Sequence, residues 1–313
     1  VLNLSIIQSA LELGAIYSLV ALALFLSFST LNIADLTTDG SFTLGCAVSA
    51  TFCLAGHPIL ALPAALLAGA AAGFVTAFLQ TRLGVPSILA GIVTNTGLYT
   101  INLAIMGFSA NLNLFRSERI FSMVERSLEG SILQSWHKFF TAALIAALVC
   151  LFLVYFLGTR LGLSIRATGD NPDMVRASSI SPVFTISVGL CLANAMTALS
   201  GAVLVQYQKS ADINLGTGMV TIALASLIIG ETLFGKGGML RCVVAVFFGS
   251  VIYRFIVALA LQANINAAAL KLISAVIVGV AIAMPTLKAH AGLRRQKSAY
   301  RKLKKGGATR ASH

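Results

Sequence analysis

Apolar runs of about twenty residues recur from one end of this chain to the other, and that repetition restricts its fold more than any other feature. They cover approximately residues 4–28, 42–56, 59–81, 86–107, 139–157, 182–206, 217–234, 240–262 and 267–287. A helix needs about 20 residues to cross ~30 Å of hydrocarbon, and most of these runs have them. Charged residues fill only 10% of the 313 positions, against ~25% in a soluble globular domain, and the mean hydropathy is +0.91. One core wrapped in water-facing residues cannot absorb so much apolar surface, so the solvent is lipid. The pattern predicts an all-α integral membrane protein of about nine membrane-crossing or re-entrant helices. Nothing along the chain reads as a separate soluble domain: residues 1–288 form one membrane unit and 289–313 a basic tail.

The formal net charge of +12 would suggest nucleic acid in a soluble protein. Here nine of the 22 Lys and Arg lie between Lys288 and Arg310, after the last apolar run. A basic tail beside a membrane helix is a cytoplasmic topology signal and a contact for anionic lipid, so nucleic acid is excluded as a partner. With that tail inside, nine crossings put the N-terminus outside. The inner connections and tail then hold 15 Lys and Arg (Arg82, Arg160, Arg166, Arg176, Lys236, Arg241 and the nine) against five outside. The five cysteines lie in or beside apolar stretches without paired spacing and read as small core residues. No basic region and cleavage site precede the first run, which reads as a retained helix.

Two apolar segments are interrupted. The run 42–56 follows the polar break Asn32-Ile-Ala-Asp-Leu-Thr-Thr-Asp-Gly40, and 217–234 ends in Gly230-Glu-Thr-Leu-Phe-Gly-Lys-Gly-Gly238. They hold the second place in each half of the chain. Discontinuous helices at matching places in two halves are the sequence pointer to two inverted repeats with a pathway between them. Broken backbone at membrane depth survives only where protein or water satisfies its amides. Asp35, Thr37, Thr38, Asp39 and Ser41 can do so as caps and turn-formers, or can line a gate, and both readings stand at this point. Glu231 belongs with them, and the orientation above puts Asp35, Asp39, Glu231 and Lys236 toward the cytoplasmic side. Asn95 and Asn102, with Thr94, share the fourth crossing. Seven residues apart, the two asparagines fall on one helix face, fit for interhelical hydrogen bonds or for a pore wall. Small-residue runs such as Ala64–Gly73 require only close helix packing.

A charge at the centre of a membrane helix costs about 2.5–3.5 kcal/mol, so it must pair, reach an interface or face a cavity. In the outer half stand Glu12, Arg254 and Lys271. A structural ion pair of Glu12 with Arg254 or Lys271 would pin their helices together.

Between the fifth and sixth crossings runs a polar stretch, residues 159–181, within which Asp170 or Asn171 can cap a short helix. Pro172 suits its first turn and Asp173 its positive end. Two turns are too short to hold alone, so the helix needs something to lie against. Arg166-Ala-Thr-Gly-Asp-Asn171 resembles the Arg-Ala-x-Gly-x-Asn coupling segment in the permease subunits of bacterial ATP-binding-cassette importers of the branched-chain amino acid and ribose type. The break at Leu31–Gly45 and the glycine-rich Ile229–Gly238 are similar to two further stretches of that family, in the same order. The first break is worded most like a subgroup associated with aromatic amino acid uptake. One position departs: Ser179 stands where the family usually has Gly.

The resemblance implies a type II-like importer fold working as a dimer with an identical or related permease subunit in a bacterial cytoplasmic membrane. It implies two cytoplasmic ATPase subunits, which hold the ATP and Mg, docked on residues 166–181. Arg166, Ala167, Gly169, Asp170, Asn171, Asp173, Met174, Val175, Ala177 and Ile180 carry that coupling. An extracytoplasmic solute-binding protein would deliver an amino acid, aromatic in the nearest subgroup. The chain itself would be a transport subunit with no cofactor, metal or catalytic residue. The run Gly230-x-x-x-x-Gly235-Lys236 lacks the Ser or Thr that a P-loop needs, since Gly237 follows. No His-Glu-x-x-His or Gly-x-Ser-x-Gly motif occurs. The rivals are an ion-gradient-driven secondary transporter with Asp35 and Asp39 as its ion site, an importer permease for a sugar or nucleoside, and a membrane scaffold.

Overall fold

The computed structural model describes residues 4–127, 132–235 and 237–262, together with Leu272, Ala275, Val276, Gly279 and Val280. Within these, helix α1 (Leu4–Leu24) runs on through a π-helical turn at Phe25–Thr30 and leads to α2 (Thr38–Leu54), α3 (Ala61–Thr81) and α4 (Ser87–Ile105). Strand β1 (Asn111–Asn113), α5 (Ile120–Ser127) and α6 (His137–Gly158) follow, then α7 (Arg160–Asp170) and α8 (Pro172–Ala177). The chain continues through α9 (Pro182–Gln208), β2 (Ser210–Asp212), α10 (Met219–Phe234) and α11 (Met239–Gln262). Among the described residues six helical stretches are long and apolar enough to span a membrane: Leu4–Thr30, Ala61–Thr81, Ser87–Ile105, Gln134–Gly158, Pro182–Gln208 and Met239–Gln262. The chain is a multi-pass helical membrane protein. The predicted runs from 42–56 to 240–262 each coincide with one helix, their ends shifted by a few residues. The run 267–287, Lys236, Lys271 and the basic tail fall outside the described residues, apart from five isolated positions.

Two elements depart from expectation. β1 pairs antiparallel with β2, Leu112 opposite Ala211, where no strand is expected. Three residues are too few to show a period-two pattern, so the ladder exists only because the two connections meet. Residues 160–170, expected as loop, form α7, capped by the Thr159 hydroxyl, which accepts from the Gly162 N–H at 3.2 Å.

Small residues decide which helices are central. α1 and α9 are each 83% buried over their apolar windows, whereas α4 and α6 are 28% buried and form the rim. Along α9, Gly45 of α2 abuts the Ala198 carbonyl, and Gly69 and Gly73 of α3 abut the carbonyls of Asn194 and Leu190. A Cβ at any of these positions would collide with backbone, so the Ala64–Gly73 run does serve close packing. α1 meets α11 in the same manner, Gly14 against the Val251 backbone.

The contacts along α9 also set depth. Leu31 lies against Gly189, Asp35 bonds Asn194, and Ser49 donates to the Ala202 carbonyl. Segment 31–37 and α2 therefore climb α9 in parallel. Asn194 is twelve residues from the start of α9 at Pro182, or ~18 Å along a helix of ~40 Å. Asp35 thus stands at half height, and α2 begins there. α10 begins there too, because its first turn contacts Asp39. The expectation that Asp35 and Asp39 sit with Glu231 near one face is corrected. Glu231 lies at the end that carries α7, where Ser29 Oγ donates to it at 2.9 Å. The two aspartates lie mid-bundle, because residues 31–37 fold back into the helices instead of connecting them outside.

Candidate functional site

Asp35 is 5% exposed and braces the turn that leads into α2. Its Oδ1 accepts the Thr37 N–H at 2.8 Å and its carbonyl accepts the Thr38 hydroxyl at 3.2 Å. Its Oδ2 accepts from Asn194 Nδ2 at 2.7 Å, and Asn194 Oδ1 in turn accepts the Ser41 hydroxyl at 2.7 Å. Thr37 and Thr76 share a hydroxyl contact of 2.7 Å. The polar break is thereby locked to α3 and α9 with its hydrogen-bonding groups engaged, as buried polar groups must be. Asn194 was not singled out by sequence; the signal available was an asparagine amid a long apolar run.

Asp39 does something that its sequence position cannot reveal. Although it lies in the first turn of α2, its carboxylate accepts the N–H groups of Gly218 and Val220, both at 2.9 Å, at the start of α10. It caps a helix 180 residues away, and a carboxylate suits that positive end. Thr43 Oγ1, one turn on, accepts the Gly216 N–H at 3.2 Å. Two helices of partial length thus meet by their N-terminal ends inside the bundle.

Beside this junction lies a cavity of about 320 Å³, walled by Asp39, Thr43, Asn95, Tyr99, Asn102 and Thr217 among others. The expected shared face of Asn95 and Asn102 is that wall. Asn102 is 1% exposed; its Nδ2 donates to the Gly40 carbonyl at 3.2 Å, while its Oδ1 has no partner among the described residues. Thr94 faces elsewhere, its hydroxyl bonded to the Ala90 carbonyl. Tyr99, Asn214 and Thr217 join the wall without having been expected, because two come from the β2–α10 connection and one from a tyrosine whose face only packing fixes.

At one end of the bundle α7 and α8 stand apart. Asn171 Oδ1 accepts the N–H groups of Asp173 and Met174 at 3.0 and 3.1 Å, so Asn171, not Asp170, is the cap. Val175 alone of α8 is buried, while Met174 is 56% exposed and Asp173, Ala177 and Ile180 also face outward. Ser179 takes φ +60° and completes a Schellman ending: its N–H reaches the Arg176 carbonyl and that of Ile180 the Val175 carbonyl. The family's glycine position thus keeps its left-handed backbone here with a serine. Arg166 and Asp170 are exposed on α7, with Ala167 half-buried. Gly169 abuts the Thr30 carbonyl and Leu31, which puts α7 directly on the entry to the re-entrant segment.

The expected ion pair does not form between Glu12 and Arg254. Glu12, 3% exposed, accepts from the Tyr207 hydroxyl at 2.8 Å and from Gln8 Nε2 at 3.0 Å. The Arg254 guanidinium stacks over Tyr17, 3.5 Å from the ring centroid. Neutral donors hold the Glu12 carboxylate and a ring face meets the Arg254 guanidinium, whose buried Nε has no hydrogen-bond partner among the described residues. The Lys271 alternative lies outside the described residues. Among the described residues no group of three metal-ligating side chains occurs.

The fold is that of a multi-pass helical membrane protein with two part-length helices meeting inside the bundle. The sequence signature described as "Branched-chain amino acid transport system / permease component" matches residues 6–284, and the chain belongs to that family. It is 33% identical over 274 residues, 87% of this chain and 88% of the other, to the "Tyrosine transport system permease protein" of Clostridioides difficile (strain R20291). It is 29% identical over 283 residues, 89% of this chain and 97% of the other, to "Uncharacterized protein RP368" of Rickettsia prowazekii (strain Madrid E). No solved structure matches it significantly. The chain is thus a transport subunit of the branched-chain amino acid type rather than an enzyme.

Proposed function

We propose that this permease forms the translocation path of an ATP-driven uptake system for an amino acid, tyrosine or a close relative. The energy comes from separate ATPase subunits that bind ATP and Mg and grip α7–α8 on the cytoplasmic side. A second permease subunit completes the path, and an extracytoplasmic binding protein feeds it from the β1–β2 end. The C-terminal tail is cytoplasmic. The two half-length helices belong to two inverted repeats, which relate α1, α2 and α3 to α9, α10 and α11. The crossed packing of α3 on α9 and of α1 on α11 supports that relation. With the run 267–287 the chain then has about nine crossing or re-entrant segments.

The observation that carries the proposal is the contact of Gly169 with Thr30 and Leu31. A helix pair with an exposed apolar tip touches the chain just where it turns back into the bundle, so a push on α8 reaches Asp35 through five residues. The cavity at the far end of that lever, about 320 Å³, matches a small solute. The experiment is uptake of radiolabelled tyrosine by the purified complex in liposomes, with and without internal ATP. Uptake that depends on ATP and is lost in Val175→Pro, while ATP hydrolysis persists, is the expected result. Uptake driven by an ion gradient in the absence of ATP would replace this proposal with the secondary-transporter alternative.

A further inference from the structure

We infer that the cavity between the first turns of α1 and the last turns of α11 binds the carboxylate of the solute, with Arg254 as its anchor. The inference rests on the transport role just proposed and adds a second site, apart from the mid-bundle junction. The cavity measures about 430 Å³, within the ~300–1,000 Å³ of small-molecule sites. Ser5, Ser9, Ala10, Leu13, Val257 and Leu261 are among its walls, and Arg254 lies at its inner end. It belongs to the half of the bundle that carries β1 and β2, since Glu12 of α1 bonds Tyr207 near the end of α9. The Arg254 guanidinium sits 3.5 Å from the centre of the Tyr17 ring. Tyr17 is thirteen residues from either end of Leu4–Thr30, so this charge stands near half height of that span. A cation at such depth is costly unless it meets an anion or a polar cavity.

The ring meets one side of the guanidinium plane, and the buried Nε has no hydrogen-bond partner among the described residues. The acids of the neighbourhood are committed or absent. Glu12, the one acid of α1, is turned to Tyr207 and Gln8. The sequence has no Asp or Glu after Glu231, so neither α11 nor the chain beyond it can supply a side-chain carboxylate. A guanidinium presents its N–H groups in a planar fork that matches a carboxylate. The other walls suit the rest of an aromatic amino acid. Ala10, Leu13, Val257 and Leu261 offer apolar surface to a ring. Ser9 Oγ donates to the Ser5 carbonyl at 2.9 Å, and its own oxygen can still accept from an ammonium group. Tyr17 in turn stacks on Phe42 of α2, ring centroids 6.3 Å apart, about one turn past Asp39. A solute held at Arg254 is thus one ring stack away from the helix that forms the junction.

The test uses the permease–ATPase complex in lipid nanodiscs with Leu261→Cys, an exposed residue of the cavity wall, as reporter. The rate of maleimide labelling is measured above that of the wild type, whose own cysteines give the background. The added solutes are L-tyrosine, 3-(4-hydroxyphenyl)propionate (carboxylate without ammonium) and tyramine (ammonium without carboxylate). Tyrosine and the propionate slow the labelling and tyramine does not. In Arg254→Met the propionate concentration for half protection rises about tenfold or more, the ratio set by losing a charge-assisted hydrogen bond. Arg254→Lys keeps the charge without the fork and gives a smaller rise, so the assay stands even where the methionine variant fails to assemble. Protection by tyramine equal to that by the propionate overturns the inference, and so does unaltered protection in the Arg254 variants. Labelling that falls as phosphatidylglycerol replaces phosphatidylcholine, and that no solute slows further, gives Arg254 to a lipid headgroup and overturns it too. Labelling that no solute slows, in a complex whose wild type still imports tyrosine with ATP, overturns this site while leaving the transport role intact.

Discussion

Replacing Ser179 with glycine should make the α8 cap more stable, and the structure fixes both the sign and the size. Ser179 adopts φ +60°, and its N–H and that of Ile180 close the last turn on Arg176 and Val175. A side chain in the left-handed region costs about 1–2 kcal/mol, which glycine avoids. Glycine gives back about 0.5–1 kcal/mol through its greater freedom in the unfolded segment. The strain is the larger of the two, so Ser179→Gly should stabilise the turn by about 0.5–1 kcal/mol. Because α8 rests on the rest of the protein through one buried residue, Val175, it opens locally, and global unfolding would not report the change. Amide hydrogen exchange over residues 172–180 in the purified permease is the suitable assay. Exchange of the Ser178–Ile180 amides should slow by a factor of about 2–5, the ratio corresponding to that free energy. Faster exchange in the glycine variant would show that the left-handed residue carries no strain and that the Schellman geometry is not what holds the helix end.

Three further outcomes follow from single contacts. Asp39→Ala removes both acceptors at the start of α10, and because water in the cavity can replace them in part, the loss should be about 2–3 kcal/mol, read as a lower thermal midpoint in detergent; an unchanged midpoint would mean that α10 needs no cap from α2. Gly169→Leu drives a side chain into the Thr30 carbonyl and Leu31, and should leave ATP hydrolysis in the complex but cut tyrosine uptake, with equal loss of both counting against the lever. Tyr207→Phe withdraws a hydroxyl from the buried Glu12 and should cost about 1–3 kcal/mol of stability, whereas Arg254→Met should leave Glu12's hydrogen bonds in place; comparing their thermal midpoints separates these partners.

Hydropathy alone was enough to reveal most of the helices, because a chain in lipid must place about twenty apolar residues per crossing and each run announces itself. The α8 helix was equally readable, since Asn171, Pro172 and Asp173 are local signals acting within one turn. The face shared by Asn95 and Asn102 follows from helix geometry, and their cavity lies on it. What only tertiary structure decided is who meets whom across the chain. Asp39 looks like a first-turn residue of its own helix, yet its carboxylate belongs to α10. Glu12 finds Tyr207 and not Arg254, one of the two basic residues expected for it, and Asp35 finds Asn194. Such partners are separated by more than 150 positions, and their choice depends on where glycines let two backbones touch. Local sequence sets a residue's helix and its face; the height at which that face meets another is set by packing.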